Sequence, residues 1–243
     1  IFATDKGEDA DQLRARFLPF AQHVNALLDR CGFSLCKGGV MAGNPKWCLS
    51  LAEWRGCFAE WMRAVSADDL LNSTIFFDFR PLAGDWALPM ALKRWLLQMA
   101  ADNPLFLRFM AANALRSGPP LGRIRDFVVD RETGQLELKR DGSRPFVDVA
   151  RIYALALGLP ETSTAERLRA AGAVLRWDSR ECNALVEALD FIQQLRLRRQ
   201  RVPGSPANRV SPDDLNDLER AFLKESFRQA RRLQHKLQTR YQL

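Results

Sequence analysis

A mainly α chain with a small β component, α+β overall, is what this sequence predicts, and three observations carry the expectation. Apolar residues recur at spacings of three and four through most of the 243 residues, the mark of helices that bury one face. One segment, 127–139, places two β-prone runs around the glycine-bearing turn Asp130-Arg131-Glu132-Thr133-Gly134 and reads as a β-hairpin. Pro, Gly, Ser and Asn clusters at 43–45, 117–120 and 203–211 punctuate the rest.

After a polar turn at Asp5–Asp9, Leu13, Phe17, Phe20, Val24, Leu27, Leu28 and Cys31 trace an amphipathic helix ended by Gly32. Phe33 to Pro45 reads as a short strand, a Gly38-Gly39 turn, a second short strand and a loop closed by Asn44-Pro45. Leu51, Trp54, Phe58, Trp61, Met62 and Val65 mark a second helix. Its tryptophans, seven apart, suit a core stripe better than a base-stacking platform. Ser66-Ala67-Asp68-Asp69 is a capping-box start, Leu88 to Ala101 is a helix, and Asn103-Pro104 opens the next. A division near residue 100, into 1–100 and 101–243, is expected.

Beyond the hairpin, Pro145 opens a helix on which Asp148 and Arg151, three apart, are neighbours; alone they read as a surface ion pair. Ser163 with Glu166 suggests a capping box for the following helix. The helix from Ser179 ends in Arg196, Arg198, Arg199 and Arg201, cations suited to a helix C-terminus. Ser211-Pro212 is read as the start of a last helix running to about Tyr241, roughly 45 Å long.

The stretch Ser73 to Asp85 stands apart, because large apolar residues there surround Asp78 and Arg80. If extended, it puts Phe76, Asp78 and Arg80 on one face; if helical, Asp78 and Arg80 diverge. Charges in such surroundings are costly unless paired or bound. An internal Asp78–Arg80 ion pair and a ligand-lining role are both open, with Asp85 after Gly84 as a second acid.

Composition narrows the function classes. Hydrophobic content of 47% and charged content of 27% suit a soluble globular protein. The sequence has no apolar run of membrane-spanning length and no leader-like start, so a cytoplasmic location without membrane contact is expected. Five cysteines without CxxC spacing and two histidines argue against a metal or disulfide framework and mark most thiols as small apolar fillers. A net charge of +7 favours an anionic partner. Its arginines are spread over helical faces, so nucleic-acid binding is not the expectation. Walker, HExxH, GxSxG and Rossmann patterns are absent, and no complete catalytic constellation appears. The chain opens Ile1-Phe2-Ala3 without Met, its first two residues read like the tail of an interrupted strand, and it is expected to be part of something longer.

Two runs carry a family resemblance: Gly32 to Trp47 followed by Ile75-Phe76-Phe77-Asp78-Phe79-Arg80 and Gly84-Asp85, then Leu136 to Lys139 with Pro145 to Arg151 and Thr164 to Leu168. Together they resemble, over nearly the whole chain, a bacterial family of nucleotidyltransferases, DUF294, related to the protein-PII uridylyltransferases. The resemblance implies the C-terminal part of a nucleotidyltransferase-fold α/β domain followed by a helical, substrate-binding bundle. It implies transfer of a nucleotidyl group from an NTP to an acceptor, a regulatory protein in bacterial signalling, with Mg²⁺ and NTP as cofactors of the full-length enzyme. The metal-binding carboxylates are expected upstream of Ile1, so this chain alone holds no metal. Upstream cyclic-nucleotide-binding and CBS modules are implied too. By the same resemblance Lys37, Gly38, Asn44, Asp78, Arg80 and Asp85 line the nucleotide cleft, and Lys139, Asp148 and Arg151 bind substrate. The rival expectation is a non-catalytic helical interaction or regulatory module.

Overall fold

The structure, a computed structural model, describes residues 1–4, 8–122, 127–201 and 208–243, so the expected turn at Asp5–Asp9 and loop at 203–211 lie partly outside the described residues. Helices make up 67% of the chain and, among the described residues, the sheet has two strands, so the mainly α class holds. The chain forms two compact units, residues 1–64 with 79–96 and residues 65–78 with 97–243. The second unit thus takes in the helix before Asp78 as well as the expected C-terminal part.

The first unit holds α1 (Ala10–Arg30) and α2 (Leu51–Ala64). Trp47 stacks on Trp54 at 6.1 Å, and Phe58 touches Trp54, Trp61 and Phe79 at 5.5, 5.4 and 6.1 Å. The tryptophan stripe is therefore core. Ser50 and Glu53 cap α2 reciprocally, the Ser50 amide donating to Glu53 Oε2 at 2.7 Å and the Glu53 amide to Ser50 Oγ at 3.2 Å. Arg14 ties α1 to this start through Glu53 and, by its Nε, to the Cys48 carbonyl at 2.9 Å. Phe2 stacks on Phe17 at 5.5 Å and forms a parallel bridge with Ser50. The two strands expected within 33–45 are not formed. Gly39, Met41 and Asn44 instead donate back to Cys36, Gly39 and Met41, so the backbone hydrogen bonds are spent on local turns. Cys48 and Cys182 are buried as expected of fillers, whereas Cys31 and Cys36 are exposed.

α4 (Ala87–Ala101) carries the chain into the second unit, which holds α3 (Ala67–Phe76), α5 (Pro104–Ala114), α6 (Arg144–Ala156), α7 (Thr164–Leu175), α8 (Ser179–Gln200) and α9 (Asp217–Tyr241). α6 is the hub, packing on α5, α7 and α9, while α8 and α9 form the largest helix pair. Phe106, Phe146, Ile152, Leu168, Ile192 and Phe227 are among the fully buried residues of its apolar core. The expected turn after Val129 is present: Asp130 accepts from the Thr133 amide at 2.9 Å, and the Asp130 amide donates to Gln135 O at 3.0 Å. β1 (Leu136–Glu137) takes its antiparallel partner from β2 (Arg209–Val210) rather than from 127–129. Burial explains this choice, since Leu136 and Val210 face each other inside the core while Phe127 turns edge-on to Phe227 at 5.9 Å.

The arginines ending α8 do more than offset a helix dipole. Arg196 reaches Ser143 Oγ and Asn208 Oδ1, Arg198 pairs with Glu219 and Arg199 with Asp214. Two caps differ from expectation. Ser163 makes no side-chain cap bond, and the turn is held instead by Arg167 Nε donating to Glu161 O at 2.7 Å. Ser211 caps only a short 3₁₀ turn, Pro212–Asp214. Asn216 then caps α9 in a capping box with Glu219, leaving a helix of about 38 Å. Asn216→Ala is expected to cost about 1 kcal/mol in urea unfolding. An unchanged midpoint would show that the box is not formed in solution.

Candidate functional site

The site starts at the end of α3. Ser66 and Asp69 form the expected capping box, and Phe77 closes the helix fully buried, 6.0 Å from Phe106. The segment is therefore helical to Phe76 and non-helical afterwards, neither wholly helical nor wholly extended. Asp78 is left just beyond a pinned helix end. Its partner is not Arg80, which is exposed. Arg151 of α6 donates from Nε and Nη2 to Asp78 Oδ2 at 3.0 and 2.6 Å. Arg167 of α7 stands 2.8 Å from Oδ1, an ionic contact whose angle is too poor for a hydrogen bond.

Arg151 also donates from Nη1 to Asp148 Oδ1 at 2.9 Å, and Arg144 donates from Nε to Asp148 Oδ2 at 3.1 Å. Arg144, Asp148 and Arg151 recur at four and three, so one face of α6 presents alternating charges. Burial alone would raise the Asp78 carboxyl. The hydrogen bonds and charge of Arg151, and then the close guanidinium of Arg167, outweigh it and hold the group below the ordinary carboxylate range. Burial likewise opposes the charged form of Arg151, and Asp78 with Asp148 keeps it more firmly protonated than usual. The side chains of Arg151 and Arg167 are only 7% and 3% exposed, so this is an internal brace rather than the surface pair expected for Asp148 and Arg151.

The outer end of the brace opens on a cavity of about 200 Å³ lined by Asn113, Arg116, Ser117, Arg140, Arg144 and Asp148, with Ala114 and Pro145. Arg140 also lines a neighbouring cavity of about 280 Å³ that includes Asp130, Glu137 and Arg209. Its position comes from a π-helical turn, Leu138–Ser143, a geometry often found at functional sites. Gly142 lets that turn settle on the core, because a Cβ there would lie 3.2 and 3.3 Å from Ile192 and Phe227. Gln234 of α9 pins the far wall, donating to Ala114 O at 3.3 Å and Ser117 O at 2.7 Å. Chemically, the cavity offers guanidinium, amide and hydroxyl donors and suits an oxyanion.

Of the residues singled out from the sequence, Asp78, Asp148 and Arg151 are brought together. Lys139 is exposed on the π-helical turn, and its neighbour Arg140 is the one that reaches the cavity. Lys37, Gly38, Asn44, Arg80 and Asp85 belong to the first unit. There Lys37 and Gly38 are exposed, Asn44 is engaged with Lys46 N and Gly39 O at 3.0 and 2.9 Å, and Asp85 accepts from Ala87 N at 2.8 Å at the start of α4. Sequence reasoning misses Arg116, Arg140, Arg144 and Arg167. The 144–148–151 spacing is a usable signal for Arg144; none exists for Arg116, which the tertiary fold brings in. Among the described residues no group of three or more His, Cys, Asp or Glu could hold a metal ion, and no helix is long and apolar enough to cross a membrane.

Residues 104–241 match the family model described as "Putative nucleotidyltransferase substrate binding domain", and residues 1–68 match "Putative nucleotidyltransferase DUF294". No curated protein and no solved structure matches the chain.

Proposed function

Because the chain belongs to the family described as "Putative nucleotidyltransferase substrate binding domain", we propose that its protein transfers a nucleotidyl group from an NTP to an acceptor. The finer reading is uridylyltransferase-like modification of a regulatory protein in bacterial signalling, in the cytoplasm. Cyclic-nucleotide-binding and CBS modules elsewhere in the protein would supply regulation. The observation that carries the proposal is the cationic cavity on α5, the π-helical turn and α6, backed by the Asp78–Arg151–Asp148 brace. Mg²⁺ would offset charge developing on the α-phosphate when bound. Among the described residues no group of three or more His, Cys, Asp or Glu gathers to hold it, and the part proposed for this chain is binding and orientation. Arg116, Arg140 and Arg144 attract and hold the anionic group, Asp148 aims Arg144, and Arg151 keeps Asp148 in place from within the core.

Incubating the native full-length gene product with each labelled NTP, Mg²⁺ and its own cell extract tests this. Label on one extract component is expected with one preferred NTP; no incorporation with any of them would sink the transferase reading. A second reading, a non-catalytic interaction or regulatory module, is favoured by a broad groove of about 820 Å³ on α9 lined by Arg228, Arg231, Arg232, His235 and Lys236. Tight capture of an acidic partner without incorporation would support it.

A further inference from the structure

We propose that the cavity between the end of α5 and the start of α6 binds a terminal phosphate dianion, with Arg116, Arg140 and Arg144 as its ligands. Charge is the first argument. Arg116, Arg140 and Arg144 are accompanied by Arg151 and Arg167 of the brace, and among the described residues the carboxylates within ion-pair distance of these five are Asp78, Asp141 and Asp148. Five guanidinium groups thus share three paired carboxylates, a surplus of two that Glu137 and Asp130 moderate from beyond ion-pair distance of Arg140. A phosphate monoester carries about −1.5 to −2 at pH 7 and matches that surplus.

Donor geometry is the second. Arg140 spends Nε and Nη2 on Asp141, and Arg144 spends Nε on Asp148, which leaves Nη1 of Arg140 and both terminal nitrogens of Arg144 available. Arg116 has no carboxylate within ion-pair distance among the described residues, and its whole fork is available. Planar guanidinium forks match the oxygens of a phosphate, and the Asn113 amide and Ser117 hydroxyl add neutral donors to the same wall.

Size is the third. About 200 Å³ holds a phosphate with a few waters, and lies below the roughly 300–1,000 Å³ of pockets that enclose a whole drug-sized ligand. The site therefore grips the end of a ligand whose remainder lies outside it. The anion site stands on this geometry; assigning the phosphate to the transferase's substrate rests on the function proposed above.

Isothermal titration of the native full-length protein, without Mg²⁺, against inorganic phosphate, a nucleoside monophosphate and the uncharged nucleoside tests the site. Saturable binding of both phosphates and none of the nucleoside is expected. Arg144→Gln should weaken binding about tenfold and Arg116→Gln several-fold. Arg63→Gln, which removes one charge from an exposed position in the first unit, should leave binding unchanged. Arg116 and Arg144 are exposed, so unchanged melting of both variants is expected to accompany the loss. A monophosphate that binds more tightly than inorganic phosphate identifies a nucleotide as the source; equal affinities identify free phosphate. Absence of saturable phosphate binding, or equal binding by wild type and both site variants, overturns the proposal. Phosphate binding by a protein that transfers no nucleotide overturns the transferase reading alone, and transfer without phosphate binding overturns the site alone.

Discussion

Arg151→Ala will destabilise the second unit by about 3–5 kcal/mol, because it removes the central cation of a buried brace and leaves carboxylates behind. Arg151 is 7% exposed and joins Asp78 at 2.6 Å to Asp148 at 2.9 Å. After truncation, among the described residues Asp78 keeps only Arg167, and Asp148 keeps only the half-exposed Arg144. Urea unfolding read by tryptophan fluorescence and far-UV dichroism measures the loss. Asp78→Asn in the same background should recover part of it, since one stranded charge disappears, and the double-mutant cycle gives the coupling directly. The pH dependence has a definite sign. The folded state holds the Asp78 carboxyl below its ordinary value, so the stabilisation is complete above about pH 4 and falls away as pH drops towards the folded-state value. The Arg151→Ala protein should therefore show a shallower acid limb than wild type. A loss under about 1 kcal/mol with an unchanged acid limb would mean that the pair behaves as a solvated surface contact.

Gly172→Ala will destabilise by about 1–3 kcal/mol, although the same change at an exposed helical site stabilises by up to about 1 kcal/mol. Gly172 lies on α7, which packs against α8. A Cβ there would overlap Cys182 Sγ, and it would meet Trp177 Cε3 at 3.5 Å. Neither neighbour has much room to yield, since Cys182 is buried and Trp177 is held edge-on by Tyr153 at 5.2 Å. Cys182→Ala removes the sulfur and should return the double variant to within about 1 kcal/mol of the Cys182→Ala parent. Stabilisation by Gly172→Ala alone would show that Cys182 swings aside freely, and the helix contact would not be tight.

Elements governed by near neighbours are legible in the residue order alone. Ser66 with Asp69 and Asn103 before Pro104 start helices through bonds to amides three residues on, so their signatures are complete within a few positions. The turn at Asp130–Gly134 is local in the same way. Trp54, Phe58 and Trp61 mark a core face by their spacing, and all three are buried. α9 begins a few residues later than its first cap signal suggests, because Ser211-Pro212 and Asn216 both carry cap chemistry and only packing selects which one continues.

Pairings across the chain are not legible in that way, because they depend on which faces share the core. β1 could take a ladder partner from 127–129 or from 209–210, and burial of Leu136 against Val210 selects the second. The apolar neighbours of Asp78 mark it as a charge that needs a partner, yet its partners lie 73 and 89 positions away, on helices whose approach no local rule specifies. Arg116 and Arg144 meet at one cavity for the same reason, since α5 and α6 both pack into one core. Local hydrogen bonding and periodicity thus write the helices and their caps into the chain, while the assignment of charges to one another waits on long-range burial, where desolvation makes an unpaired group costly.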